Sequence, residues 1–235
     1  MGEKTIAFAL FPGVTLLDLV GPLQVLKSLP PPWKTVVVGR STSSIASDSG
    51  LPCAAACTFA DAPDPAVVIV PGGPGSVRAM ADEVIQAYLR SSAETAEVVA
   101  SVCTGALVLA AGGMLDGRRA TTHWAYAREL ELLGARYVRA RWVEDGRFIT
   151  AAGVSAGIDL ALALAARLTD EATARAIQLS IEYDPEPPFG RIDWTRVGEA
   201  ERIRQRRGGT GAQLEKAGEL LAGRPELLRK LSGSR

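Results

Sequence analysis

Cys103 stands where a β-like run gives way to a helical one. In EVVASVCTGALVLAAGG (97–113), Val98, Val99 and Val102 precede it, and Ala106, Leu107, Leu109, Ala110 and Ala111 follow. Ser101-Val102-Cys103-Thr104-Gly105 has the outline of a nucleophile elbow, in which the nucleophile sits two residues before a glycine at a strand–turn–helix corner. A thiol there meets free N–H groups and the positive end of the helix dipole, both of which favour thiolate. Its pKa is expected to fall from about 8.5 into a range of roughly 3.5–7.5. The competing reading is a small buried hydrophobe, since free cysteine is among the most buried residue types.

Three further features complete a candidate site. Pro71-Gly72-Gly73-Pro74-Gly75 follows the apolar run AVVIV directly. It lacks the Lys-Ser/Thr of a P-loop and the spacing of a dinucleotide fingerprint, so nucleotide binding is not expected. The amides of Gly72 and Gly73 are instead candidates for an oxyanion hole, against the plain alternative of a turn needing positive φ. Asp18 follows the first apolar run, where a helix N-cap would sit. Placed beside Cys103 it would share a proton with the thiol and act as acid or base, its pKa raised by burial and like charge. His123 in ATTHWAY is the single histidine, so any His-dependent triad must use it or not exist; capping and packing are its other possible roles. Cys53 and Cys57 lie in LPCAAACTF with no histidine nearby, too few ligands for zinc, and are read as packing residues.

The elements that must position these residues alternate in type. Apolar strands are expected at 4–11, 34–39, 66–70 and 97–102, and helices at 18–29, within 76–93, and at 104–113, 125–133, 156–168 and 170–183. The last of these is capped by Thr169 or Asp170. Residues 40–62 read as irregular with short edge strands, and Asp145-Gly146 within 136–153 signals a hairpin. Nearly all-apolar strands between helices imply a parallel sheet covered on both faces. In such sheets ligands collect at the carboxyl ends of strands near a topological switch point. Asp18, Gly72-Gly73 and Cys103 each follow a strand, so the topology is expected to bring them together.

The 235 residues suit one α/β domain, 1–190, followed by a tail, 191–235, beyond DPEPPFG. Hydrophobic residues at 47% and charged residues at 22% are ordinary for a globular chain. No apolar run reaches the roughly 18 residues of a membrane span, and the N-terminus lacks a signal-peptide layout, so a cytoplasmic protein without membrane association is expected. Net charge is zero, but the tail holds 11 Lys/Arg against 6 Asp/Glu and leaves the body acidic. A basic tail raises the question of nucleic acid. Leu214, Ala217, Leu220, Leu221, Leu227, Leu228 and Leu231 favour instead an amphipathic helical tail packed on the body or on a second subunit.

SVCTGALVLAAGGMLDGRRATTHW around Cys103, Pro71-Gly72-Gly73, LDLVGPLQVL, GVSAGIDLAL and QLSIEYDPEPPF together resemble the ThiJ/PfpI (class I glutamine amidotransferase-like) superfamily. More narrowly they resemble its isonitrile hydratases, over roughly residues 4–190. The resemblance implies a flavodoxin-like three-layer α/β/α sandwich, usually homodimeric, with cysteine at the elbow. Asp18 matches the acidic partner of the hydratase branch, where relatives with peptidase, deglycase or glyoxalase activity commonly carry Glu. PfpI-type peptidases place His directly after the cysteine; Thr104 stands there here, as in the hydratases, where its hydroxyl belongs to the site. The implied reaction is cofactor-independent hydration of a small-molecule isonitrile, R–N≡C, to an N-substituted formamide. It would use Cys103, Asp18 and Thr104, with the Gly72, Gly73 and Thr104 amides polarising the intermediate. Two other functions share the motifs: a ligand-sensing module related to AraC-type regulators, and a thiol-based stress protein or glyoxalase-like enzyme. Only 45 residues follow Gly190, short of the paired helix-turn-helix motifs of such regulators, and GGTG at 208–211 interrupts their helical pattern. Nucleic acid is therefore not an expected partner.

Overall fold

The computed structural model describes residues 2–62, 64–221 and 223–233. Strands β1 (Lys4–Leu10) and β2 (Trp33–Gly39) flank helix α1 (Leu16–Leu26) in sequence. Short strands β3 (Ile45–Ala46), β4 (Pro52–Cys53) and β5 (Cys57–Thr58) lead to β6 (Val67–Val70). Helices α2 (Ser76–Ala81) and α3 (Glu83–Thr95), strand β7 (Val98–Val102) and helix α4 (Gly105–Ala111) follow. Next come β8 (Arg119–Ala120), α5 (Ala127–Leu132), β9 (Arg136–Tyr137), β10 (Trp142–Asp145), β11 (Phe148–Ala151), α6 (Ala156–Leu168) and α7 (Glu171–Ser180). The tail carries α8 (Glu199–Arg206), α9 (Gly209–Glu215), α10 (Ala217–Leu220) and α11 (Pro225–Ser232).

A seven-stranded sheet runs in the order β10-β11-β7-β6-β1-β2-β5, with every pair parallel except the β10–β11 hairpin. Strand-by-strand alternation sorts its side chains into two cores, as a period of two requires. Ile6, Phe8 and Leu10 of β1, Val67 and Ile69 of β6, and Val98, Ala100 and Val102 of β7 face one core, which α1, α6 and α7 cover. Ala7, Ala9, Val68, Val70 and Val99 face the other, beneath α2, α3, α4 and α5. The result is the expected three-layer α/β/α sandwich. Each fully buried Leu, Ile or Phe contributes about 1.5–3 kcal/mol towards holding the layers together.

Local details differ from the sequence reading where a partner from elsewhere intervenes. Helix α1 begins at Leu16 with Thr15, not Asp18, as its N-cap. The Asp48 carboxylate supplies the cap, accepting from Thr15 Oγ1 at 2.7 Å and the Leu16 amide at 3.1 Å. Asp18 therefore lies inside the first turn, on the buried stripe it shares with Pro22 and Val25. Arg136–Tyr137 does not join the Asp145-Gly146 hairpin; it pairs in parallel with Arg119–Ala120. Helix α7 takes Asp170 as its cap, which accepts from the Thr173 amide at 2.7 Å.

The tail lies on the body. Ala217, Leu221 and Leu227 enter the core beneath α2 to α5, and Leu214, Leu228 and Leu231 pack against it, while the Leu220 side chain is outside the described residues. Arg206 ion-pairs with Glu129 of α5 at 2.6 Å, and Arg224 with Glu83 of α3 at 3.0 Å. No described helix is long and apolar enough to cross a membrane.

Candidate active site

Chain order places β1 between β2 on one side and β6 on the other, so the topological switch falls between β1 and β6. The loops leaving these two strands are laced together: the Thr15 amide donates to Gly72 O and the Gly75 amide to Gly13 O, both at 2.9 Å. β7 lies next to β6 and delivers Cys103 to the same edge.

Cys103 is held in the left-handed region at φ 56°, a conformation that costs a residue with a side chain energy unless its surroundings impose it. Here they do. Its amide donates to Ala151 O at 3.1 Å and Ala152 O at 2.8 Å, and its carbonyl accepts from Thr122 Oγ1 at 2.8 Å. Gly105 is required two residues on, because a Cβ there would run into the Val70 carbonyl. The elbow is thus a backbone turn clamped from both sides.

Asp18 comes down from α1 onto the elbow. It is fully buried, and its Oδ2 accepts from the Gly72 amide at 3.0 Å. Its Oδ1 has no hydrogen-bond partner among the described residues. Burial pushes the Asp18 carboxyl up to about 7, only partly offset by the Gly72 amide and by the Cys103 thiol. Burial also pushes the Cys103 thiol well above its ordinary range, and the Asp18 charge adds to that, against the opposing pull of Thr104. The shift thus runs opposite to the lowering expected from a helix N-terminus, with dehydration and the neighbouring carboxylate as its main causes. Two acids press against each other in a dry site, so the first proton to leave comes off the pair.

The Gly72 and Gly73 amides do not stand free as the expected oxyanion hole. Gly72 N–H holds Asp18, and Gly73 N–H donates to Thr104 Oγ1 at 2.9 Å. They act as a cradle that fixes the acid and the threonine. A Cβ on Gly72 would lie 2.6 Å from the Thr104 nitrogen and 2.8 Å from Asp18 Oδ2. The buried Thr104 hydroxyl also lies 2.9 Å from Ser76 Oγ, either oxygen being able to donate. Ser76, Thr122 and Asp48 are the residues that sequence reasoning missed. Ser76 was signalled only by its position just after the glycine-rich turn.

His123 does not join this group. It caps the turn Trp124–Tyr126, where its Nδ1 accepts from the Ala125 amide at 3.3 Å. Burial alone pushes it down to about 4, so the ring is neutral at neutral pH. It lines a cavity of about 480 Å³ together with Thr122 and Ala152, which hydrogen-bond the Cys103 backbone. Among the described residues, no group of three or more His, Cys, Asp or Glu could hold a metal ion. Cys53, Cys57 and Cys103 are all free thiols.

A buried cysteine at a strained elbow, paired with a single carboxylate across the β1–β6 switch, can be set against known proteins. Residues 4–167 match the DJ-1/PfpI family. The chain belongs to that family. Within it, the chain is 48% identical over 184 residues to an isonitrile hydratase of Pseudomonas putida, covering 78% of this chain and 80% of that protein. The crystal structure of a ThiJ/PfpI family protein from Pseudomonas syringae superposes with a TM-score of 0.83 at 35% identity, covering 94% of this chain and 90% of that one. A transcriptional regulator of Pseudomonas aeruginosa, CdhR, is 33% identical over 130 residues, covering 54% of this chain and only 36% of the regulator. The DJ-1/PfpI match takes in Asp18, Gly72, Gly73, Cys103, Thr104 and His123 and stops short of the tail.

Proposed function

We propose that this chain hydrates isonitriles to N-substituted formamides, with Cys103 as nucleophile and Asp18 as acid and base. The observation that carries the reading is the Asp18–Cys103 pair: one carboxyl, raised to about 7, set against one buried thiol. The similarity to the Pseudomonas putida isonitrile hydratase supports the substrate class.

Within the pair, the reactive form is the one that holds a single proton. The sulfur attacks the terminal carbon of R–N≡C, forming a C–S bond as that carbon takes the proton from Asp18. The product is a thioimidate, R–N=CH–S–Cys103, and an Asp18 carboxylate. Asp18 then takes a proton from water as its oxygen adds to the same carbon, and passes that proton to the imine nitrogen. Collapse of the tetrahedral adduct breaks the C–S bond, releases R–NH–CHO and returns the proton to the pair. Covalent capture divides one hard addition into two easier ones. Thr104, held by Gly73 and Ser76, keeps the elbow aligned. No step calls on His123.

Incubation with an alkyl isonitrile, with formamide measured by liquid chromatography, tests the reading. Wild-type protein should yield formamide, and Cys103→Ala none; a fully active Cys103→Ala variant would end the covalent mechanism. The same reading takes the protein to be a cytoplasmic homodimer, which sedimentation velocity and cell fractionation check.

A further inference from the structure

Three large apolar side chains are exposed around one concavity: Leu17 at 43%, Ile192 at 63% and Trp194 at 36%. All three line the cavity of about 480 Å³, with Trp124, Tyr137 and Val154. Scattered exposed apolar residues need no explanation, but a cluster around a hollow marks a binding surface. Three of its lining residues neighbour the Asp18–Cys103 pair along the backbone. Leu17 precedes Asp18, Thr122 holds the Cys103 carbonyl, and Ala152 accepts the Cys103 amide. Its volume lies within the roughly 300–1,000 Å³ typical of sites that enclose a drug-sized ligand. A one- or two-carbon substituent would leave most of it unfilled.

The outer wall comes from the tail. Trp194 sits edge-on to Trp124 at 6.3 Å between ring centroids, and the Arg139 guanidinium lies 5.7 Å from the Trp194 ring. Trp124 in turn tilts against His123. Ile192 and Trp194 fall outside the segment shared with the family, residues 4–167. The Asp18–Cys103 pair lies inside that segment, whereas this wall comes from the tail beyond it.

We infer that the cavity seats a bulky apolar, aromatic-sized part of the ligand on which Cys103 acts, and that Trp194 of the tail sets that size preference. The inference deepens the proposed hydration, in which this part is the R group. Trp194 is a specificity residue here, with no part in the bond-making steps. Stacking and edge contacts with Trp124 and Trp194 favour a flat ring system over a branched chain of equal volume.

The test compares methyl isonitrile with 2-naphthyl isonitrile in wild type, Trp194→Ala and Trp194→Phe. Calorimetric binding of N-(2-naphthyl)formamide to the Cys103→Ala protein, with and without Trp194→Ala, is measured alongside. Wild type should favour the naphthyl substrate in kcat/KM. Trp194→Ala should lose at least tenfold on it through KM, far more than on methyl isonitrile, and weaken formamide binding; Trp194→Phe should recover most of the loss. An unchanged naphthyl-to-methyl ratio in Trp194→Ala would overturn the inference while leaving the hydration reading intact. If wild type hydrates neither compound, the hydration reading falls, and the formamide binding decides the cavity assignment alone: Trp194-dependent binding keeps it, no binding removes it. If Trp194→Ala alters only the oligomeric state in sedimentation velocity, a second copy covers this face and the inference fails.

Discussion

Replacing Asp18 by Asn should stabilise the fold while abolishing turnover, and the gain should depend on pH. The carboxyl is raised from its ordinary 3.8 to about 7, with burial the dominant cause. At about 1.4 kcal/mol per pKa unit, a folded chain that must ionise Asp18 gives up about 4 kcal/mol relative to one that need not. The sign follows from the direction of the shift. A raised carboxyl binds its proton more tightly in the folded than in the unfolded chain. Its contribution is thus fully present below the unfolded value near 3.8 and is lost as pH rises through about 7. Asn does not titrate, and its side-chain oxygen can accept from the Gly72 amide as Oδ2 does at 3.0 Å. The stability difference, variant minus wild type, should therefore be about 2 kcal/mol at pH 5 and about 4 kcal/mol at pH 8. Urea denaturation of both proteins at the two pH values measures it. A variant no more stable than wild type, with the same pH slope, would show that Asp18 stays an ordinary ionised carboxylate. The acid/base role would then lose its basis.

Three further outcomes follow from the same geometry. The kcat/KM for isonitrile should climb through about pH 7 as the Asp18–Cys103 pair loses the first of its two protons. It should hold until the thiol, raised above its ordinary 9.0, ionises; stopped-time assays from pH 5 to 10 give the profile. Thr104→Val removes the oxygen that accepts from Gly73 N–H at 2.9 Å. A buried amide is then left unpaired, at about 1–3 kcal/mol. Thermal melts should register that loss together with slower turnover, and Thr104→Ser should restore both. Gly72→Ala would drive a methyl to 2.6 Å from the Thr104 nitrogen. Overpacking of this kind costs about 1–3 kcal/mol, and displacement of the acid by about an ångström costs on the order of a hundredfold in rate. Formamide production alongside denaturant melts separates the two effects.

The sheet was legible because its strands write their burial into composition. Val67 to Val70 and Val98 to Val102 are covered on both faces, and only parallel strands between helical layers need runs that apolar. The elbow was legible for a related reason: Cys103 needs Gly105 next to the Val70 carbonyl, and that glycine is visible in the chain. What escaped was set by contacts across sequence distance. Asp18 reads as a cap because Asp commonly caps helices, yet the cap of α1 is Asp48, brought in from the far side of β2. That substitution is what frees Asp18 to turn inward. Nothing local to LLDLVGP reveals it.

The direction of the thiol's shift has a physical cause that bears on the chemistry. A helix dipole acts on Cys103 with a fraction of a charge, and α4 is only seven residues long. Burial acts on the whole charge, and it acts on both members of the pair at once. A site with an imidazole beside the cysteine can separate charge into thiolate and imidazolium, each stabilising the other. Here the neighbour is a carboxylate, His123 is neutral and engaged elsewhere, and the pair can shed only one proton cheaply. Such a pair is poorly suited to delivering a standing thiolate to an amide carbonyl. It suits an electrophile whose reacting carbon must gain a proton in the same step that it gains the sulfur. Terminal isonitrile carbon has that requirement, and this is the ground for the proposed roles of the strained elbow, the Gly72 cradle and Asp18, whose Oδ1 has no hydrogen-bond partner among the described residues.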